Sequence, residues 1–142
     1  MAEFNMNRLR LAVAALCSAL TTSVLAEVQT VDRAAKGQSG KDIRVGVYLN
    51  VQPDCKSGPL PTIRLTAPPE HGTVIVKKGN VTATNYKQCL ALQVPAFVAI
   101  YKSQPNFTGV DVLSLEVAYP GGKTETQRIT VTVGISSPGQ GI

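Results

Sequence analysis

The residues of this chain best able to do chemistry are three cysteines and one histidine. Cys17 lies in an apolar segment, whereas Cys55 and Cys89 lie further along, outside any C-x-x-C pair of the redox or metal-binding kind. Two cysteines in an exported chain most often bond to each other. We therefore predict a Cys55–Cys89 disulfide, with a redox or metal role as the alternative. On the chain-entropy model, such a crosslink stabilises the fold by roughly 3 to 4 kcal/mol.

The compartment follows from the start of the chain, where residues 6–26 have the pattern of a signal peptide. Two arginines precede the uncharged run 11–26, which is shorter than the ~20 residues of a membrane span and ends in the small residue Ala26. We expect residues 1–5 to be a vector-derived leader. The mature protein is expected to be periplasmic or secreted, without a membrane span. A retained anchor and acylation of Cys17 are the alternatives.

Catalytic residues are scarce in this sequence. His71 is its one histidine, so the multi-ligand metal sites of other β-proteins are not available unless the cysteines stay reduced. No G-x-S-x-G motif accompanies His71, and the carboxylates are scattered rather than paired. We predict no enzymatic activity, no cofactor and no metal.

The charge of the chain is mildly basic, with a formal net charge of +5. Its nearest approach to a basic cluster is Lys77-Lys78, and no aromatic residues alternate with these lysines to stack on bases. Nucleic acid is therefore not expected as a partner. An anionic envelope surface or polysaccharide is a weakly indicated one.

The elements that must position these residues are strands. Apolar residues alternate with other residues from Ile43 to Val51, which predicts a half-buried strand with Tyr48 facing outward. Lys78-Gly79-Asn80 predicts a hairpin turn. The same reasoning gives seven strands, at 43–51, 62–66, 73–77, 81–84, 93–101, 112–119 and 129–133. No segment after Ala26 has a helical period, so the prediction is an all-β protein of two antiparallel sheets packed face to face.

The regions flanking these strands have a different composition. Residues 27–41 are polar and rich in glycine, which predicts a flexible N-terminal arm. Residues 42–135 form the expected β-sandwich domain, and residues 136–142 are expected to be a disordered tail. The chain is long enough for one domain with one core.

A resemblance to a known family is carried by the segment from Tyr101 to Asp111. Its aromatic strand end, Pro-containing turn and Phe-x-Gly-x-Asp opening resemble the signature of bacterial immunoglobulin-like, cadherin-like modules. The motif positions are Tyr101, Pro105, Phe107, Gly109 and Asp111. The resemblance implies an immunoglobulin-like β-sandwich. Independently of the family, we expect Phe107 to plug the sandwich end, Gly109 to permit a bend or a close backbone approach, and Asp111 to accept hydrogen bonds from turn amides. Calcium binding is not carried over, because Tyr119 stands at a commonly acidic position.

These observations together favour a non-enzymatic, exported interaction or structural module. The alternative is a small envelope hydrolase or a protease inhibitor on the same scaffold. Expected partners are an envelope or extracellular protein or a polysaccharide, and the chain is expected to be a monomer. Any unpaired edge strand could accept a partner's strand. The candidate recognition residues are Tyr48, Glu70, His71, Lys77 and Lys78.

Overall fold

Seven β-strands make up the fold in the computed structural model, which describes residues 18–22, 28–83, 89 and 91–135. No helix occurs within these residues. The strands are β1 (Gln29–Gln38), β2 (Asp42–Tyr48), β3 (Thr62–Ala67), β4 (Gly72–Ala83), β5 (Leu92–Ser103), β6 (Gly109–Ala118) and β7 (Thr124–Gly134). The prediction of an all-β protein with seven strands is confirmed, although two of the elements differ from those expected.

The strands form two sheets that pack face to face. One sheet has the order β1-β7-β6-β3 and the other has the order β2-β5-β4. Apart from β1 and β7, which run parallel, all paired strands are antiparallel. If β2 to β7 are lettered B to G, the sheets read C-F-G and B-E-D, as in an immunoglobulin-like sandwich. The first strand joins the C-F-G sheet, beside β7.

The main core lies between the two sheets and consists of alternate residues of β2, β5, β6 and β7. As expected from the alternation, Leu113, Leu115 and Val117 of β6 are fully buried, and they face Ile129 and Val131 of β7 in the same layer. Fully burying an aliphatic side chain contributes about 1.5 to 3 kcal/mol. These central positions therefore supply much of the driving force for sheet packing.

The prediction of a flexible arm at residues 27–41 is wrong, because most of this segment is strand β1. Val31 and Ala35 are half-buried while most other β1 side chains are exposed, so the segment looks polar in sequence. Its backbone pairs with β7 from Gln29 opposite Glu125 to Gln38 opposite Gly134. The ladder of main-chain hydrogen bonds compensates for the small apolar contribution. Composition alone does not reveal such a strand.

The predicted hairpin at residues 78–80 is also wrong. Strand β4 continues through Gly79 and Asn80, which pair with Ala96 and Pro95 of β5. Neither Gly79 nor Asn80 has a positive φ angle, so the chain does not turn there. The two short strands predicted on either side are one 12-residue strand.

The predicted outward orientation of Tyr48 is wrong because β2 contains a bulge between Arg44 and Gly46. A bulge inserts one extra residue and moves the following side chains to the opposite face. Ile43 and Val45 are buried as expected, but beyond the bulge Tyr48 is 5% exposed and Val47 is 37% exposed.

The Cys55–Cys89 disulfide is confirmed. It links the β2–β3 loop to the β4–β5 connection, beside a second small core of Val51, Ala83, Cys89 and Val94. The predicted leader and C-terminal tail lie outside the described residues. Of the predicted signal peptide, only residues 18–22 are described, and these contain neither helix nor strand.

Candidate binding site

A groove lies between the two sheets beside β3 and β4, and we call it the open seam. Each of these strands is the last in its sheet, so each has one edge without a strand partner among the residues that the structure describes. The groove has a volume of about 540 Å³. Its lining residues are Gly58, Pro59, Leu60, Pro61, Thr62, Ile63, Val76, Lys78, Pro95 and Phe97. On the opposite side of the sandwich, β1 and β2 approach each other and close the gap.

Apolar side chains at the open seam remain in contact with solvent although they point between the sheets. Ile63 and Leu65 of β3 lie opposite the buried Val117 and Leu115 of β6, so they face the core side. Leu65 is nevertheless 39% exposed, as is Val76 on β4. An exposed apolar strip beside a free strand edge is a typical site for a partner chain.

Lys77 and Lys78 lie on opposite faces of β4, since successive strand residues alternate. Lys78 pairs with Phe97 and lines the open seam. Lys77 pairs with Val98 on the outer face of the three-stranded sheet. The two lysines therefore do not form one basic patch, and they add positive charge to two separate surfaces.

The outer face of the three-stranded sheet is also apolar at its centre. Ile75 lies opposite Ile100, and Lys77 lies opposite Val98, so these four side chains share that face. Ile75 is 48% exposed. Strand β2 borders β5 on the edge opposite to β4, and its Arg44 lies opposite Ile100. Arg44 adds another positive charge to this face.

The motif residues form a clamp around the buried carboxylate of Asp111. Oδ1 of Asp111 accepts hydrogen bonds from the amides of Glu70 at 3.0 Å and Val112 at 3.0 Å. Oδ2 accepts from the amide of His71 at 2.9 Å and from the hydroxyl of Tyr101 at 2.8 Å. The expectation that Asp111 accepts hydrogen bonds from turn amides is confirmed. The clamp fixes the turn that leads directly into β4.

The electrostatics of the clamp favour an ionised Asp111. Burial alone would raise its pKa, but the hydrogen bonds from Tyr101 and from three backbone amides outweigh burial and lower the pKa below its usual value. Burial, and then the hydrogen bond to Asp111 and its charge, raise the pKa of Tyr101 well above its ordinary range. The pair is therefore a carboxylate held by a neutral phenol.

The remaining motif residues also have architectural positions. Phe107 packs against the main core, as predicted, and its ring stacks on His71 with the ring centres 4.3 Å apart. Gly109 begins β6 with a φ of 135°, which side-chain-bearing residues rarely adopt. Pro105 lies in the exposed turn after β5. Nε2 of His71 lies 3.9 Å from Oε2 of the exposed Glu70.

Tyr48 belongs to a buried polar network instead of a recognition surface. Its hydroxyl donates to Oε1 of Gln127 at 2.6 Å, and Nε2 of Gln127 donates to Oε1 of Glu125 at 3.0 Å. Burial raises the pKa of Tyr48 to about 12, although the charge of Arg33 opposes this. Gly46 leaves room for the Tyr48 hydroxyl, since a Cβ at position 46 would overlap it.

Of the candidate recognition residues, the structure brings Lys78 into the open seam and places Lys77 just outside it. Glu70 and His71 form the turn that precedes β4, and Tyr48 is buried. The apolar groove residues Ile63, Val76 and Phe97 were not singled out from sequence. Their signal was present as apolar positions in strands β3, β4 and β5, but which strands lie at sheet edges follows only from the topology.

Within the described parts of the chain, no group of three or more His, Cys, Asp or Glu residues is arranged to hold a metal ion. The same residues include no helix long and apolar enough to cross a membrane. Comparison with protein-family models, with curated proteins and with solved structures found no match for the chain.

Proposed function

We propose that this protein is a non-enzymatic, exported interaction module that binds an extended polypeptide segment along β4 at the open seam. The observation that carries the proposal is the free edge of a 12-residue strand beside an exposed apolar groove. Main-chain hydrogen bonds from a free edge supply affinity for an added strand, and pockets for alternate side chains supply specificity.

The position of the groove beside a strand edge favours a polypeptide over a compact small molecule. Val76 and Phe97 lie on one wall of the groove and Ile63 on the other. An added strand would place every second side chain between these walls, because side chains alternate along a strand. The exposed face of Val76 would then be covered.

The proposed location is the periplasm or the cell exterior, reached through a cleaved signal peptide. A disulfide is compatible with an oxidising compartment. The uncharged run at residues 11–26 after two arginines supports the export route. We also propose membership of the bacterial immunoglobulin-like, cadherin-like modules, supported by the motif from Tyr101 to Asp111 and by the sheet order.

Selection from a phage-displayed library of random ten-residue peptides tests the function. The oxidised protein is the bait, and enriched peptides are expected to protect β4 amides from hydrogen exchange. A Val76→Lys variant, which adds a charge inside the groove, should lose binding. Thr132→Lys is the matched control, since Thr132 is exposed on the other sheet.

Three outcomes would overturn the proposal. The first is enrichment of peptides that bind Val76→Lys as well as the unchanged protein. The second is specific binding of envelope polysaccharide with no peptide binding. The third is reproducible turnover of a substrate panel that His71→Ala abolishes, which would place the protein among enzymes.

A further inference from the structure

We infer that the segment bound along β4 carries two adjacent acidic residues followed by two apolar residues. This inference rests on the proposed function, because it specifies the ligand of the same edge. The observation behind it is the sequence Ile75-Val76-Lys77-Lys78 on an edge strand both of whose faces are accessible. A strand paired with this edge would meet an apolar residue and a lysine on each face.

The two lysines require separate acidic partners. Residues directly opposite each other on paired strands share a face, so the ligand residue opposite Lys78 lies in the open seam. The next ligand residue, opposite Lys77, lies on the outer face of the sheet. One acidic side chain cannot reach both lysines, and two consecutive acidic residues can.

Neither lysine is neutralised within the chain as the structure describes it. The salt bridges of the described residues involve Arg33, Arg64 and His71, and none involves Lys77 or Lys78. Their cross-strand neighbours are the apolar Val98 and Phe97. An acidic partner therefore meets an uncompensated charge on each face, next to an apolar contact.

A second copy of this protein is a poor ligand for the edge. Two β4 strands paired antiparallel about these positions would place Lys77 opposite Lys78 of the other copy, which is repulsive. The nine acidic residues of the chain include no two that are adjacent. No segment of a second copy supplies the complementary pattern, so the ligand belongs to a different chain.

The order of residues in the ligand follows from strand direction. Antiparallel pairing is slightly more stable per residue than parallel pairing. Followed from its N-terminus, an antiparallel ligand pairs with Lys78 first and with Ile75 last. Its residues therefore come in the order acidic, acidic, apolar, apolar. The apolar residue opposite Val76 enters the open seam, and the one opposite Ile75 covers the outer face.

Capped synthetic peptides test this assignment by isothermal titration calorimetry with the oxidised protein. The probe is Thr-Thr-Asp-Asp-Val-Val-Thr-Thr, and its partners carry Asn-Asn in place of Asp-Asp or the reversed core Val-Val-Asp-Asp. The acidic probe should bind at least about tenfold more tightly than either partner, and its affinity should fall as salt is raised.

Charge reversal of the protein completes the test. Lys77→Glu and Lys78→Glu should each lower the affinity for the acidic probe about fivefold or more. The double variant should bind a peptide with Lys-Lys in place of Asp-Asp more tightly than the acidic probe. Lys123→Glu is the control, because Lys123 is exposed near the β6–β7 turn. Equal binding of the Asp and Asn peptides overturns the inference but leaves the proposed function standing. Failure of library peptides and all defined probes to bind β4 removes the proposed function itself.

Discussion

Replacing Asp111 with Asn removes one charge from the clamp while keeping its shape. Four donors converge on the two carboxylate oxygens, namely three backbone amides and the Tyr101 hydroxyl. An Asn side chain offers one acceptor oxygen, and its NH₂ group must face donors that previously met the second oxygen. We expect a marked loss of stability without a change of fold.

The size of the loss follows from the geometry. If the NH₂ group replaces Oδ2, Tyr101 can rotate its hydroxyl to accept a hydrogen bond, but the amide of His71 is left facing a donor. A hydrogen bond to a charged group is worth about 1.5 to 3 kcal/mol, and an unsatisfied buried donor costs about 1 to 3 kcal/mol. We expect about 3 kcal/mol in total at pH 7. That corresponds to a fall in Tm on the order of 15 °C for a small domain.

Urea unfolding of the oxidised protein, followed by circular dichroism from pH 7 to pH 2.5, measures this loss. The pKa of Asp111 is lowered in the folded state. Its contribution is therefore present above the unfolded-state pKa of about 3.9 and disappears as the pH falls through the folded-state value. The difference in free energy of unfolding between the unchanged protein and Asp111→Asn should therefore begin to narrow below about pH 4 and be smaller at pH 2.5 than at pH 7.

Two further variants make the experiment decisive. Glu116→Gln removes a half-buried carboxylate that lies 3.1 Å from the exposed Arg64, and it should cost less than about 1 kcal/mol. Tyr101→Phe removes one donor of the clamp and should cost about half as much as Asp111→Asn. The reasoning is refuted if Asp111→Asn is as stable as Glu116→Gln at pH 7. It is equally refuted if the gap is unchanged at pH 2.5.

Three other changes test the packing of the fold. Cys55→Ala with Cys89→Ala should lower the free energy of unfolding by roughly 3 to 4 kcal/mol in urea titrations without reductant, and the loss should vanish when both proteins are fully reduced. Gly72→Ala would bring a Cβ within 2.5 Å of the Lys102 carbonyl oxygen and should cost about 2 kcal/mol in calorimetry. Gly79→Ala on the same strand has no atom within 4 Å and should be neutral or slightly stabilising, so equal effects would contradict this packing. Tyr48→Phe should cost about 1 to 2 kcal/mol at neutral pH, since Gln127 loses its buried donor. Because burial raises the pKa of Tyr48 from 10.0 to about 12, its stabilisation is lost as pH rises from 10 to 12, and stability curves that stay parallel over that range would argue against it.

The sequence was most informative where alternation was regular. Leu113, Leu115, Val117, Ile129 and Val131 are buried as their period of two predicts. The roles of Phe107, Gly109 and Asp111 were also predictable, because a ring, a flexible backbone and a carboxylate each have few uses beside a turn. Local chemistry was sufficient at these positions.

Prediction failed where long-range pairing decides the structure. Strand β1 is polar and is held by the backbone of β7, which is distant in sequence. Gly79 and Asn80 favour a turn locally, but pairing along the whole of β5 keeps them extended. The bulge after Arg44 reverses the orientation of Tyr48, and no residue type announces a bulge of this kind. The open seam was beyond sequence analysis for the same reason, since edge positions are a property of the assembled sheets.

The parallel pairing of β1 with β7 has a mechanical consequence. Tension that enters the domain at Gln29 and leaves it at Gly134 acts at opposite ends of one ribbon, because Gln29 lies opposite Glu125 and Gln38 lies opposite Gly134. Such a load shears the ribbon along its length and strains its hydrogen bonds simultaneously, instead of peeling them apart one by one. A chain held between two anchors would therefore resist stretching through its first and last strands, while the free edge of β4 stays outside the line of force.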